Sequence, residues 1–307
     1  MSETAQNLID AGVYVGIDQL LHARHWARDL KLFSRQAARS MLLGETRSRF
    51  RGRGMEFEEV RRYQAGDDIR TIDWRVSART GDTYTKLFCE ERERPVHILV
   101  DQRSANFFGS SQQFKSVLAA ELAAALAWAA LAGSDRIGGQ IIGDHREYDI
   151  RARRNKQAVL KFIHDLCELN QCLPSDSPAS NSLALALKEC RRITRPGTAI
   201  FIISDFHDFD AHAAKALSNL GRHCDIHALH VCDPLEESLP LTGTAAVSDG
   251  KQQSSIAFSN RLRSAYQEQR SEQYEELNKA LIRSRALYAK LSTNENARNA
   301  LSKIFGK

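Results

Sequence analysis

The densest group of side chains able to do chemistry is Asp205-Phe206-His207-Asp208-Phe209-Asp210, which comes after the apolar run Thr198 to Ser204. Carboxylates and an imidazole in such a loop can hold a divalent cation, and Asp-x-His after a strand can open a metallophosphoesterase site. That chemistry needs companions. No Gly-Asp-x-x-Asp or Gly-Asn-His segment comes after it at a suitable distance, so a solvated loop opening a helix is the simpler reading. A metal-dependent hydrolase using Asp101, Asp205, His207 and Asp208 stays as an alternative. His164-Asp165 and His207-Asp208 match the dipeptide of all-helical histidine–aspartate phosphohydrolases but sit here among strands and helices. The chain has no phosphate-cradling Gly-x-x-x-x-Gly-Lys loop, no Gly-x-Gly-x-x-Gly after a strand and no Gly-x-Ser-x-Gly elbow. Arg47, Arg49, Arg51 and Arg53 alternate around Phe50 and could line up on phosphates in an extended chain. Glu45, Glu56, Glu58 and Glu59 flank them, which favours internal ion pairs. Nucleic acid is therefore not an expected partner, and binding through Arg47 to Arg53 is a further alternative.

The elements that must position these groups fall into two regions that join near Glu93–Pro95. The first is charged and punctuated by glycine; one or two short helices are expected within Ile17 to Lys31 and several short strands between Met55 and Glu90. From Pro95 onward the pattern is strand, turn, helix. Val96 to Val100 ends in Asp101, and an alanine-rich helix begins near Gln112. A hairpin is expected over Arg136 to Ile150, then helices over 156–169 and 182–193, a strand ending at Asp205, a helix over 211–220, a strand over 224–231, a helix over 260–283 and a strand over 286–291. Ser292 with Glu295 reads as a capping box opening the last helix. Strands linked through helices need right-handed crossovers, so residues 95–307 read as a doubly wound, mostly parallel α/β domain, with residues 1–94 a smaller α+β extension. Ligands of such sheets sit at the carboxyl ends of strands, where Asp101 and Asp205 lie.

The segment Gly52 to Glu93 resembles the signature of the bacterial domain of unknown function 58 family. The resemblance rests on Glu56–Phe57, Arg61, Tyr63, Gly66–Asp67–Asp68, Arg70, Ile72–Asp73–Trp74, Ala78–Arg79, Lys86 and Glu90–Glu91, and continues through Ile203 to Phe206, Asp233–Pro234 and Leu291 to Thr293. It implies a von Willebrand factor A-like (vWA) fold with an N-terminal extension, and a MoxR-type AAA+ ATPase as partner. In vWA domains a divalent cation is held by Asp-x-Ser-x-Ser, a Thr from a second loop and an Asp after the fourth strand. Here the first loop reads Asp101-Gln102-Arg103-Ser104-Ala105, so both serines are replaced; Asn181 or Ser182 stands at the second loop, and Asp205 is kept. The adhesion site is thus degenerate, and magnesium is not expected as a cofactor. A guanidinium is a fixed cation whose planar fork suits carboxylates, so Arg103 is expected between Asp101 and Asp205, in place of the metal. The alternative is Arg103 in solvent, with the aspartates accepting backbone N–H bonds.

Asp67, Asp68, Arg70, Asp73, Arg75 and Arg79 are more charges than packing needs and form the candidate surface for a protein partner, with Trp74 an anchor at the junction of the regions. The charge balance, 43 basic against 38 acidic residues in 307, is that of an ordinary globular chain. Val117 to Ala132 is alanine-rich, carries Glu121 and is shorter than the roughly 20 residues of a bilayer span. No secretion signal is visible, so the expectation is a cytoplasmic protein without a membrane span. Six scattered cysteines lack any Cys-x-x-Cys pair and indicate neither zinc nor disulfides. The reading is a non-enzymatic adaptor.

Overall fold

A computed structural model describes residues 12–33, 56–64, 69, 72–89, 94–172, 180–240, 242–248 and 253–306. The chain divides into two units, Met1–Thr46 with Arg94–Lys307, and Arg47–Glu93.

The larger unit opens with two short helices, α1 (Ile17–His22) and α2 (Arg24–Ala27). The smaller unit pairs β1 (Glu56–Arg62) antiparallel with β2 (Tyr84–Cys89), and Ile72 bridges Thr85. Between them lies α3 (Trp74–Thr80), a helix in a stretch where the sequence pattern predicts short strands alone. Its limits are set chemically: the Asp73 carboxylate accepts the N–H groups of Arg75 and Val76, and Gly81 at φ 79° takes the left-handed turn that ends it.

The larger unit continues with β3 (Pro95–Asp101), α4 (Lys115–Ala132), β4 (Arg136–Ile142), β5 (Glu147–Arg153), α5 (Lys156–Asn170), α6 (Leu183–Ile193), β6 (Ala199–Ser204), α7 (Ala211–Leu220), β7 (Asp225–Cys232), α8 (Pro234–Glu237), β8 (Thr244–Ser248), β9 (Gln253–Ala257), α9 (Asn260–Ser284), β10 (Leu287–Ser292) and α10 (Ala297–Phe305). The central sheet has the order β10-β7-β6-β3-β4-β5, parallel except for the β4–β5 hairpin, while β8 and β9 form a separate antiparallel pair. The expected doubly wound, mostly parallel α/β architecture is thereby found.

Alternation along each strand separates two cores. Val96, Ile98 and Val100 of β3 pack with α4, α5 and α10, whereas Leu99 packs with α6, α7 and α9. Helix α4 is apolar all round because it is covered all round: α1, α2, α5 and α10 contact it as well as the sheet. It is the one helix among the described residues long and apolar enough to cross a membrane, and 83% of it is buried inside the protein. Its contacts with α1 and α2 put those helices in the α/β unit, not with the charged segment, so the excursion that separates from this unit is shorter than residues 1–94.

The last helix also starts later than the Ser292–Glu295 pair suggests. Asn296 caps α10 by accepting the Asn299 N–H at 2.8 Å, Ser292 closes β10, and Glu295 pairs with Lys303.

Candidate functional site

Asp101 ends β3 with no exposed surface, and its carboxylate is bound from three directions. The Ser204 hydroxyl at the end of β6 donates to Oδ2 at 2.8 Å, and the Arg103 backbone N–H donates to Oδ1 at 3.1 Å. The Arg103 guanidinium then lies side-on, with Nε to Oδ1 at 2.9 Å and Nη2 to Oδ2 at 2.7 Å. Its other edge faces Asp208, Nη1 to Oδ2 at 2.5 Å and Nη2 to Oδ1 at 2.9 Å. Asp208 also accepts the Leu183 N–H at 3.0 Å, so one arginine ties the loops after β3 and β6 to the start of α6.

Asp205 has different partners. Lys115, the first residue of α4 and 1% exposed, places Nζ 2.7 Å from Asp205 Oδ2 and 2.6 Å from Glu236 Oε1. His207 donates its backbone N–H to Asp205 Oδ1 at 3.1 Å and sets Nδ1 2.9 Å from the same oxygen. The expectation that Arg103 joins Asp101 to Asp205 is therefore corrected: Arg103 joins Asp101 to Asp208, because the buried Lys115 ammonium already occupies Asp205. Between the two aspartates of the loop, Phe206 adopts φ 53°. This left-handed conformation costs a non-glycine residue about 1–2 kcal/mol and turns the chain sharply, so that Asp205 and Asp208 meet different cations.

Electrostatics reflect this geometry. Burial opposes the charged forms of Arg103 and Lys115, yet their carboxylate partners outweigh it and hold both above their ordinary values. Burial alone would raise Asp205, but the His207 hydrogen bond and Lys115 hold it well below the usual carboxylate range. Asp208 is held low by Arg103 in the same way, and His207 is raised by Asp205 against the effect of burial. Asp101, Asp208, Asp205 and Glu236 thus face Arg103 and Lys115, with His207 beside them.

The other residues singled out in the sequence are dispersed. Asn181 turns away and donates to the Gly143 and Arg146 carbonyls, at 2.8 and 3.4 Å, while Ser182 caps α6. Ala105 lies in the short 3-10 turn Ser104–Asn106, where Ser104 bonds Asp144. In the smaller unit Asp73 caps α3, and Arg75 and Arg79 are exposed on it. Trp74, the first residue of α3, is 68% exposed. Asp67, Asp68, Arg70 and the arginines Arg47, Arg49, Arg51 and Arg53 lie outside the described residues.

Lys115 and Glu236 belong to the network and are not singled out by the sequence pattern, while Ser204 enters that reading only through the family resemblance. A signal for Lys115 exists: a cation at the start of a buried helix opposes the helix dipole and requires a carboxylate nearby. A second polar knot is built on Asp233 and Thr293, which enter the sequence reading only through the family resemblance. Asp233, fully buried, accepts from Ser110 N at 2.8 Å, Thr293 Oγ1 at 2.7 Å and Leu235 N at 2.9 Å. It joins the ends of β7 and β10 to the loop before α4.

The model of the family described as "Protein of unknown function DUF58" matches residues 59–276, well over half of the chain. This chain belongs to the DUF58 family. Curated relatives of the DUF58 chain include uncharacterized proteins of Mycobacterium bovis and Mycobacterium tuberculosis, each 28% identical over 224 residues, 73% of this chain and 69% of the relative. Among solved structures it is similar to the conserved hypothetical protein BatB of Bacteroides thetaiotaomicron (TM-score 0.44, 16% identity, 69% of this chain and 96% of that one). An aerotolerance-related membrane protein of Bacteroides fragilis gives a TM-score of 0.43 at 16% identity with the same coverage. An uncharacterized membrane spanning protein of Vibrio fischeri gives 0.22 at 14% identity, covering 68% of this chain and 95% of that one. The expectation of a cytoplasmic protein without a membrane span is corrected and withdrawn: two of these structures are named as membrane proteins, a description that belongs to those proteins. No compartment is assigned to the DUF58 chain.

Proposed function

We propose that this DUF58 protein is a non-enzymatic adaptor: a vWA-like α/β unit whose cation position is filled by its own side chains, working with a MoxR-type AAA+ ATPase in assembly or maturation of other proteins. The observation that carries the reading is the Arg103 fork, which takes both oxygens of Asp101 and both of Asp208. Lys115 does the corresponding work on Asp205 and Glu236. A divalent ion entering here would have to displace a buried guanidinium and leave it uncompensated, which is costly. The carboxylates that a metal-dependent hydrolase would use are committed to neutralising cations. Calorimetric titration with magnesium or manganese is expected to show no stoichiometric binding; tight binding at one site would restore the hydrolase reading.

The MoxR-type partner comes from the family resemblance, and the surface assigned to it is α3 with Trp74, Arg75 and Arg79. An exposed tryptophan flanked by arginines is the residue set that concentrates binding energy at interfaces. Affinity capture of the full chain from native lysate, read by mass spectrometry, should recover an AAA+ ATPase, and Trp74→Ser should lower its yield without changing the melting temperature. Captured complexes that contain no ATPase would overturn the partnership.

A further inference from the structure

At the end of the central sheet opposite to the ion pairs, a cavity of about 720 Å³ opens among the amino ends of β3, β4 and β6, the second half of β5 and the carboxyl end of α6. A β-bulge shapes it. Pairing between β4 and β5 passes from Ile137↔Arg153 to Gly139↔Ile150, so Arg151 and Ala152 together oppose Gly138 alone. Glycine is required there, because a Cβ on Gly138 would meet Ala152 N and Ile150 O at 2.8 Å. Bulges re-aim side chains, and this one sets Arg151 on the cavity wall beside Arg136 and Arg195.

Two observations mark the cavity as a binding site. The first is its charge: three guanidiniums line it against one carboxylate, Asp149, and among the described residues none of the three is in an ion pair. Arg136 gives one side-chain N–H to the Ala152 carbonyl at 3.1 Å, and its remaining guanidinium donors have no partner among the described residues. The second is His97, 5% exposed and lining the same cavity, whose Nε2 has no hydrogen-bond partner among the described residues. A buried polar atom left unpaired costs stability unless something outside the chain completes it. Ile193, partly exposed at the end of α6, supplies apolar wall beside these polar groups.

We propose that this cavity binds a small organic phosphate monoester, its dianion held by Arg136, Arg151 and Arg195 and its body lying against the apolar wall within reach of His97. The excess of two positive charges matches a phosphate dianion, and guanidinium forks match its oxygens. The site stands independently of the adaptor reading, since it shares no residue with the Asp101–Arg103 network or with α3.

The test monitors the His97 ring by nuclear magnetic resonance in the full chain at pH 7, with its signals identified by their loss in His97→Gln. Phenyl phosphate serves as the probe and phenol as its uncharged control. Phenyl phosphate should shift the His97 signals saturably and phenol should not, and Arg151→Gln or Arg195→Gln, both exposed positions, should each weaken binding about tenfold. His97 signals unmoved by millimolar phenyl phosphate would overturn the proposal. An equal response in the Arg151→Gln/Arg195→Gln double variant would overturn it as well.

Discussion

Arg103 holds two carboxylates, one of them wholly buried, so its removal acts through the charges left behind. Arg103→Leu strands Asp101 and Asp208 together and should destabilise the protein by about 3–5 kcal/mol, read from urea unfolding. Arg103→Lys keeps the charge but not the fork, and should recover less than half of that loss. The residues at this site were partly legible: Asp101 and Asp205 stand at strand ends, and an arginine two residues after the first is conspicuous. The pairing was not legible. Whether Arg103 reaches Asp205 or Asp208 is decided by Lys115, which is distant in sequence and comes to Asp205 only when α4 packs on the sheet. Side-chain partners of that kind are properties of the assembled layers, and no local pattern records them.

At the scale of elements, the hydrophobic period settles most of the chain after Pro95, because buried parallel strands are short β-branched runs and their crossover helices are amphipathic. It misleads where ends are set by side-chain caps. The helix α3 sits between two signals, Asp73 and Gly81, that a search for alternation passes over; Ser292 looks like the start of α10, whereas Asn296 does the capping. Such caps have measurable weight. Asp210 accepts the Ala213 N–H at 2.7 Å at the start of α7, and Asp210→Ala should cost about 1 kcal/mol while Asp210→Asn costs little. Packing of helix on strand is stricter. A Cβ on Gly139 would lie 2.6 Å from the Phe162 ring and 2.8 Å from the Ile98 carbonyl, so Gly139→Ala should lower stability by about 1–3 kcal/mol and shift the urea midpoint without changing the slope.

For the whole molecule, three buried histidines contribute to acid sensitivity. Burial pushes His97 and His227 down to about 4 and His230 to about 3, against an ordinary 6.5. Between pH 6.5 and 4 the unfolded chain takes up protons that the native state refuses, so this stability is present above 6.5 and is lost on acidification, by about 1.4 kcal/mol per pH unit for each imidazole. His207 is raised and has the opposite sign: its contribution is full below 6.5 and is lost as pH rises through its raised value. Burial also raises the Glu121, Glu147, Asp149 and Asp225 carboxyls, which adds to the His207 sign, so the histidine contribution is read as the difference in urea midpoints between variants across pH 7 to pH 5. His227→Phe, which keeps the ring stacked on Phe201, should flatten the slope by about one proton. The division into units is testable at this scale too. Residues on both sides of the smaller unit are tied into the α/β layers, Lys31 N to Phe305 O at 2.8 Å and Arg94 N to Asp135 Oδ1 at 2.9 Å. Replacing Arg47–Glu93 with a flexible linker should therefore leave a cooperative thermal transition, monitored by circular dichroism.

The side chains that join the loops after β3 and β6 carry a last consequence. A bound ion obeys mass action: it leaves when its free concentration falls, when a chelator competes or when its ligands take up protons. Arg103 and Lys115 are covalently part of the chain, cannot be diluted away, and keep their charge throughout the physiological pH range. The loops they fasten hold one arrangement whatever the ionic composition of their surroundings, so this end of the sheet is a constitutive surface and not one that waits for an ion to set it.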